Sequence, residues 1–467
     1  MAWHLQLSVD RGSIRPLHEQ LRSGIKQMIE AGTLRPDAPL PSSRRLADDL
    51  GLARSVVVEA YQQLSAEGYL VSVDRSGTRV ARHALTIASP AARAPQSEEP
   101  ASTDPPIRWD LRTGLADVSG FPRGEWSMCL QQVLQTATPA HLEYPSLSGV
   151  VELRRELAAY LGRVRAARTS ADTIMLTAGF AQGLALLCTM LAEMGHTAVA
   201  VEDPGHPGQR RFIEGIGLNT VGIPVDAEGL DVEALAASGA RAVLLTPANQ
   251  FPTGAVLSDR RREGLTSWAR QVDGLVVEDD YDAEFWFDSP RRPASVQGID
   301  PDHVAYGGSA SKTLAPGLRL GWLAVPAHLM PALKRARARQ DLGASTLDQL
   351  AYAEFIATGR LERHLRRMRK RYHERLTTFV GAVDAHLPEL KTSSSVGLHS
   401  FLTLPSHLDE RSLVKAARRS GVLLHGAEHF TRDRPASPGL VVGYARHTPD
   451  ALIGAVRALA AAVGTLT

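Results

Sequence analysis

The sequence predicts a two-domain α/β protein, in which a small domain of three helices and a β-hairpin is joined by a linker to a large domain with a mostly parallel sheet. Apolar residues recur at helical spacing over residues 17–64 and are followed by two short β-rich runs. Residues 83–107 contain five prolines and six alanines without a hydrophobic period, as expected of a linker. From residue 108 onward, short Val, Leu and Ala runs alternate with amphipathic helical stretches, which is typical of a sheet covered by helices. The predicted domains are therefore residues 1–82 and 108–467.

The composition is that of an ordinary globular chain, with 467 residues of which 44% are hydrophobic and 22% are charged. These values exclude a disordered, collagen-like or disulfide-stapled protein. Cys129 and Cys188 lie in apolar runs without a CxxC or His-rich neighbourhood, so we expect reduced core cysteines and no metal site. Because no secretion signal and no run of about 18 apolar residues occurs, we expect a cytoplasmic protein that does not span a membrane.

Three helices and a hairpin follow one another in the small domain. The first helix begins after Pro16, the second is capped by Ser42 and ended by Gly51, and the third begins near Ala53. The positions predicted to face the core of this domain are Leu17, Leu21, Ile25, Ile29, Leu46, Leu50, Val57, Tyr61 and Leu64. The runs YLVSV and TRVA, separated by Asp-Arg-Ser-Gly, predict the hairpin, and the whole is a winged helix.

The second and third helices have the spacing of a helix-turn-helix, whose second helix enters the DNA major groove. Arg44 and Arg45 lie on the first of the two helices, while Arg54 and Ser55 begin the second. An arginine at that position can donate two hydrogen bonds to guanine, and the other residues can contact phosphates. Gly77 at the tip of the hairpin allows the backbone to approach DNA closely. The net charge of +2 is too small to indicate DNA binding by itself.

The pattern PLPSSRRLADDLG...R.....AYQQL..EGYL...SGT.V resembles the winged-helix domain of GntR-type transcription regulators over about residues 14–82. The resemblance implies a double-stranded DNA operator as partner. The alternative is that the arginines only solvate a helical surface. Ala53 is a departure from the family pattern, because such regulators often have a hydroxyl residue before the arginine.

In the large domain, the runs at 199–203, 242–246, 275–279 and 321–325 predict strands buried on both faces of the sheet. The runs SFLTL and LVVGYA near the end predict a smaller α/β subdomain.

The segment GGSASKTLAPGLRLGW, residues 307–322, suits a covalent site for an aldehyde cofactor that carries a phosphate. Lys312 is the predicted imine lysine, and Ser309 and Arg319 are predicted to bind the phosphate. Asp279 ends a predicted strand and can pair with a protonated ring nitrogen, and Tyr281 can bond a ring hydroxyl. The alternative to this role is that Asp279 caps a helix.

The segment TAGFAQ, residues 177–182, offers backbone N–H groups at a helix start, with Gly179, Phe180 and Ala181 lining the phosphate cradle. His206 is predicted to stack on the ring of the cofactor. The alternative is that His206 is only a residue of a turn.

Together these residues, in this order, resemble fold-type I pyridoxal-phosphate proteins of the aspartate aminotransferase class from about Trp109 to the end. With the winged helix before it, the chain resembles the MocR/GabR group of regulators. The resemblance implies that pyridoxal 5'-phosphate is the cofactor. It also implies a homodimer, because Tyr144 matches the tyrosine that reaches the phosphate of the neighbouring subunit. A core aromatic is the alternative role of Tyr144.

The departures from that family are informative. Val441 stands where these enzymes commonly have the arginine that holds the substrate carboxylate, and Arg446 is either a substitute or a solvated loop arginine. His206 replaces the usual Tyr or Trp, and Gln250 and Phe251 replace the Asn before PTG.

The expected function is therefore a pyridoxal-phosphate-dependent transcription regulator whose aminotransferase-like domain senses an amino compound or pyridoxal phosphate itself. Sensing of pyridoxal phosphate would resemble the PdxR-type members, which control vitamin B6 synthesis. The alternative is a working aminotransferase with an appended DNA-binding domain.

Overall fold

The computed structural model describes residues 9–73, 77–82, 106–287, 292–392, 396–433 and 437–466. Contacts within the chain divide it into an amino-terminal unit, Met1–Ser102, and a carboxy-terminal unit, Thr103–Thr467. Most of the predicted linker and the predicted hairpin tip at 74–76 lie outside the described residues.

The described part of the amino-terminal unit contains three helices and an antiparallel hairpin, as the periodicity predicts. Its elements are α1 (Leu17–Glu30), α2 (Ser43–Leu50), α3 (Arg54–Ala66), β1 (Leu70–Val73) and β2 (Gly77–Val80). The core joins all of them, since one cluster of buried side chains includes Leu21, Leu46, Val57, Leu70 and Val80. Leu17 and Leu50 are only half-buried, so the core is slightly smaller than the sequence pattern indicates.

Helix α2 is capped at both ends, whereas α3 lacks a side-chain cap at its start. The Ser42 side chain accepts a hydrogen bond from the backbone N–H of Arg45, and Gly51 adopts a left-handed φ of 62° that ends α2. Ala53 is the N-cap residue of α3 and has no side chain that can accept from the first turn. The helix that carries Arg54 therefore starts without the capping bond that its neighbour has.

Ala53→Ser is expected to stabilise the start of α3 by about 1 kcal/mol, because its hydroxyl can accept from an orphan N–H of the first turn. Hydrogen exchange of the α3 amides in the full chain measures the change. The matched control is Ala66→Ser at the last residue of α3, where the new hydroxyl meets no orphan N–H. Equal exchange rates in the Ala53→Ser variant and the unmodified protein would contradict this account of the cap.

The carboxy-terminal unit is built on an eight-stranded mixed sheet with strand order β4-β11-β10-β9-β8-β5-β6-β7. Its strands are β4 (Ile174–Thr177), β5 (Ala198–Asp203), β6 (Asn219–Asp226), β7 (Gly229–Leu230), β8 (Ala242–Leu245), β9 (Leu275–Asp280), β10 (Val304–Ser309) and β11 (Gly321–Ala324), after a short β3 (Trp109–Asp110). Strands β10, β9, β8, β5 and β6 are parallel, whereas β11 runs antiparallel to both of its neighbours. The carboxyl ends of the parallel strands therefore meet at one edge.

Helices pack against this sheet, and a smaller sheet lies in the same unit. In chain order they are α4 (Arg123–Thr136), α5 (Pro139–Leu142), α6 (Val151–Arg165), α7 (Phe180–Glu193), α8 (Pro207–Gly215), α9 (Val232–Ala237), α10 (Asp259–Val272), α11 (Ala310–Thr313), α12 (Met330–Gln340), α13 (Thr346–Ala357), α14 (Arg360–His386), α15 (Glu410–Arg419) and α16 (Pro449–Gly464). The smaller sheet has the order β12-β13-β16-β15. Its strands are β12 (Lys391–Thr392), β13 (His399–Thr403), β15 (His425–Gly426) and β16 (Gly439–Gly443), while β14 (Val422–Leu423) pairs with β3.

Both cysteines, Cys129 and Cys188, are buried and unpaired. In the described part of the chain, no helix has the length and apolar character that crossing a membrane requires.

Candidate functional site

The amino-terminal unit presents a basic surface at the start of α2 and α3. Arg44, Arg45, Arg54 and Ser55 are all exposed, and Gly77 is exposed with a φ of 81°. None of the three guanidinium groups has an ion-pair or hydrogen-bond partner among the residues that the structure describes. These side chains are therefore available to an external anion.

A cavity of about 370 Å³ lies in the carboxy-terminal unit, at the edge where the parallel strands end. Its wall includes Glu202 from β5, Thr246 after β8, Asp279 from β9 and Ser309 from β10. The size is that of a small-molecule site. The residues predicted from distant parts of the sequence thus meet because their strands share one sheet.

One end of the cavity suits a phosphate. Phe180 and Ala181 begin α7, whose first-turn N–H groups and helix dipole favour an anion. Gly179 precedes them with a φ of 84°, and a Cβ there would lie 3.0 Å from both terminal nitrogens of Arg319. The Arg319 guanidinium donates to the Ala178 carbonyl, and Ser309 lines the same cavity. A glycine is therefore required for the arginine to lie against the helix start.

Lys312, on α11, provides a primary amine inside the cavity. Its Nζ donates to the Gly114 carbonyl oxygen at 2.5 Å. Burial lowers the pKa of this amine, and the carboxylates of Asp282 and Asp279 only partly oppose the shift. A lowered pKa favours the neutral amine, which is the nucleophilic form.

Asp279 faces the cavity with its carboxylate oriented by a neighbouring side chain. Its Oδ2 accepts from the Gln209 amide at 2.6 Å, and burial raises its pKa to about 7. A cationic ring nitrogen in the cavity would favour the ionised carboxylate. Close by, the Tyr281 hydroxyl donates to the Asn249 carbonyl at 2.9 Å.

Aromatic and imidazole rings form another part of the cavity wall. The rings of His206 and His399 lie 5.4 and 5.2 Å from that of Phe251, between centroids. Burial lowers the pKa of His399 to about 4 and lowers that of His206 as well, so both rings are neutral near pH 7. His206 also accepts from the N–H groups of Gly208 and Gln209, so it caps α8 as well as lining the cavity. Its two predicted roles are thus compatible.

The region around Val441 is apolar. Val441 is 0% exposed and lies in a cluster with Phe251, Phe401 and Phe430. Arg446 is half-exposed, and its nearest carboxylate is that of Asp110 at 4.0 Å, which is the position of a solvated loop arginine. Among the described residues that line the cavity, the only lysine is Lys312 and the only arginine is Arg319.

The other departure from the family pattern has a structural role. The Gln250 amide donates to the carbonyls of Pro204 and Phe251 at 2.9 and 2.6 Å, so it braces the turn that carries Phe251. Gln250 is 1% exposed and is not in the cavity wall.

Most of the predicted site residues come together, and Tyr144 is the exception. Its side chain is 86% exposed and lies outside the cavity wall, so its alternative role as a core aromatic is wrong. Asp279 as a helix cap is also wrong, because the residue lies within β9. Sequence reasoning missed Glu202, Gln209, Thr246 and His399, which line the same cavity without belonging to a local motif.

The raised pKa of Asp279 predicts how the ligand-free protein responds to pH. Below pH 4 the carboxyl is protonated in both states and contributes nothing. Between pH 4 and about 7 the unfolded state ionises while the folded state keeps the proton, so this carboxyl lowers the stability as pH rises. Asp279→Asn should therefore gain unfolding free energy relative to the unmodified protein, by up to about 1.4 kcal/mol per pH unit in that interval.

Denaturant unfolding of the ligand-free protein at several pH values measures this difference. The matched control is Asp226→Asn, because hydrogen bonds from Arg261 lower the pKa of Asp226 and its stabilisation is lost as pH falls. A pH-independent difference for Asp279→Asn would contradict the assignment of a buried, protonated carboxyl.

Two protein-family models match the chain. "Aminotransferase class I and II" matches residues 120–459, and "Bacterial regulatory proteins, gntR family" matches residues 17–80. Among solved structures, the kynurenine aminotransferase of Pyrococcus horikoshii superposes with a TM-score of 0.70 at 24% identity, over 77% of this chain and 91% of that one. This likeness shows the fold of the carboxy-terminal unit.

Two curated relatives extend over nearly the whole chain. A protein of Rhizobium meliloti named "Probable rhizopine catabolism regulatory protein MocR" is 30% identical over 98% of this chain and 95% of its own length. The "HTH-type pyridoxine biosynthesis transcriptional regulator PdxR" of Corynebacterium glutamicum is 30% identical over 93% of each chain.

Proposed function

Because the chain belongs to the aminotransferase class I and II family and carries a gntR-family regulatory domain at its amino terminus, we propose that it is a pyridoxal-phosphate-dependent transcription regulator. The carboxy-terminal unit senses a small molecule, and the amino-terminal unit binds an operator. The predicted fold class and the resemblance to MocR-type regulators are confirmed by these matches.

One observation carries the proposal. The cavity has a residue for each polar part of the cofactor, yet no further arginine or lysine among the described residues that line it. Lys312 would hold the cofactor covalently, Asp279 its ring nitrogen, and Ser309 and Arg319 its phosphate. When bound, pyridoxal phosphate supplies an aldehyde that condenses with primary amines. A site that holds the cofactor but lacks a cation for a substrate carboxylate is better suited to sensing than to turnover.

Pyridoxal phosphate itself is the proposed effector. Because the cavity has no further lysine or arginine, the carboxylate of an amino acid would have no charged partner there. The polar groups of the cofactor would each have a partner among the cavity residues. The printed name of the Corynebacterium relative, a regulator of pyridoxine biosynthesis, supports the further proposal that the target is vitamin B6 synthesis.

A homodimer in the cytoplasm is also proposed. Tyr144 is exposed in a single chain, as expected if its hydroxyl reaches the cofactor phosphate of a partner subunit. Two winged helices would then face two half-sites of the operator.

A working aminotransferase is the second candidate. The observation that favours it is the buried Lys312 amine next to Asp279 and Asp282, which is the arrangement that catalysis on this cofactor also needs. The apolar surroundings of Val441 weigh against it.

The DNA-binding part of the proposal is tested at Arg54. Arg54→Ala is expected to weaken binding to the protein's own promoter DNA by about 1–3 kcal/mol and to relax specificity at one base pair, because a bidentate base contact is lost. Arg54→Lys is the matched control, since lysine keeps the positive charge but cannot donate the two parallel hydrogen bonds of a guanidinium group. If Arg54→Lys binds DNA as tightly as the unmodified protein, and Arg54→Ala loses the same affinity for all DNA sequences, Arg54 contacts a phosphate instead of a base. Unchanged binding of both variants would contradict the docking of α3.

A further inference from the structure

The first half of α14 carries an unusual concentration of positive charge. Between residues 360 and 371 the sequence has seven basic residues and one acid, in a chain whose net charge is +2. Neither the cavity nor the winged helix uses any of them.

Five of these basic residues form one exposed row, which we name the basic stripe. Its members follow one another at intervals of three and one positions and therefore share one face of the helix. They are Arg363, Arg366, Arg367, Lys370 and Arg371, and all five are exposed.

The stripe is only partly neutralised. Arg367 lies 3.2 Å from Glu125, and Arg371 lies 2.9 Å from Asp117. Arg363 donates to a neutral carbonyl, that of Thr358, at 3.3 Å. Within the described residues, Arg366 and Lys370 have no hydrogen-bond or ion-pair acceptor. The surface therefore keeps an excess of positive charge.

The arrangement opposes the helix's own stability. Like charges four positions apart repel each other, and three such pairs occur, namely Arg363 with Arg367, Arg366 with Lys370, and Arg367 with Arg371. Arg363 also lies in the first turn, where the helix dipole disfavours a cation. A solvated helix face ordinarily alternates its charges, so this pattern points to an external polyanion.

We propose that the basic stripe binds the phosphate backbone of DNA, so that the carboxy-terminal unit contributes to the DNA-binding surface. The inference rests on the proposed function, because the gntR-type unit brings DNA to the chain. Because both units belong to one chain, DNA bound by the amino-terminal unit is at a raised local concentration for the second unit. The stripe is about 12 Å long, and duplex DNA presents one negative charge per about 1.7 Å of its axis.

The test compares the salt dependence of binding to a mixed-sequence, fluorescein-labelled DNA duplex, with the full chain loaded with pyridoxal phosphate. Arg366→Gln/Lys370→Gln should lower the magnitude of the slope of log K against log salt by about 1.8, since two phosphate contacts are lost. The affinity loss should grow as the salt concentration falls. Each single variant should lower the slope by about 0.9.

The matched control is Lys334→Gln/Arg335→Gln, which removes the same charge from two exposed positions on α12. Its slope should equal that of the unmodified protein, and circular dichroism should show all variants folded. Equal slopes for the stripe variant and the control variant would overturn the inference. An acidic protein would then be the better candidate partner of the basic stripe. If the unmodified protein fails to bind the duplex at any salt concentration, the proposed function itself fails.

Discussion

Lys312→Ala is expected to abolish covalent attachment of pyridoxal phosphate, because the side chain that supplies the cavity's primary amine is removed. The absorption that belongs to the imine should disappear. After borohydride reduction, mass spectrometry should find the cofactor on the peptide that contains Lys312 in the unmodified protein and on no peptide of the variant.

Lys334→Ala is the matched control, since Lys334 is exposed on α12 and should leave the absorption unchanged. Retention of the cofactor on another lysine of the Lys312→Ala variant would contradict the assignment of the site.

Transamination of common amino acids is expected to be slower than in an ordinary aminotransferase by roughly 10²–10⁴-fold in kcat/KM. A carboxylate would lose two charge-assisted hydrogen bonds, because Lys312 and Arg319 are the only lysine and arginine among the described residues that line the cavity, a loss of roughly 3–6 kcal/mol. Stopped-flow spectra of the half-reaction measure the rate.

The matched substrate pair is an α-amino acid and the amine formed by removing its carboxyl group. Because nothing in the described cavity wall binds a carboxylate once the cofactor is held, the two should react at similar rates. A preference of about 10² or more for the amino acid would reveal a carboxylate site and favour the aminotransferase alternative.

The sequence was most informative where a local pattern decides the structure. The helices of the amino-terminal unit follow from apolar residues four positions apart, and the Ser42 and Gly51 caps follow from the conformations that those residues prefer. Asp279 could be predicted from its place at the end of a buried strand, and Ser309 from the motif that also contains Lys312; both line the cavity.

The rest depends on contacts between distant segments. Gln209 orients Asp279 from 70 positions away, and His399 reaches the cavity from the smaller sheet, so neither has a local signature. The antiparallel direction of β11 is likewise set by its neighbours, since a short buried run has the same composition in either direction. The exposure of Tyr144 could not be predicted, because an aromatic residue in a loop can be either buried or exposed.

The proposed function makes DNA binding depend on the occupied cavity, and a dimer can transmit that occupancy only by favouring one arrangement of its two winged helices. The most direct test measures the affinity for promoter DNA as a function of half-site spacing, with and without pyridoxal phosphate, for the unmodified protein and for Lys312→Ala. We predict that the cofactor changes the spacing preference of the unmodified protein and leaves that of the variant unchanged. Coincident curves at every spacing, with and without the cofactor, would contradict the account.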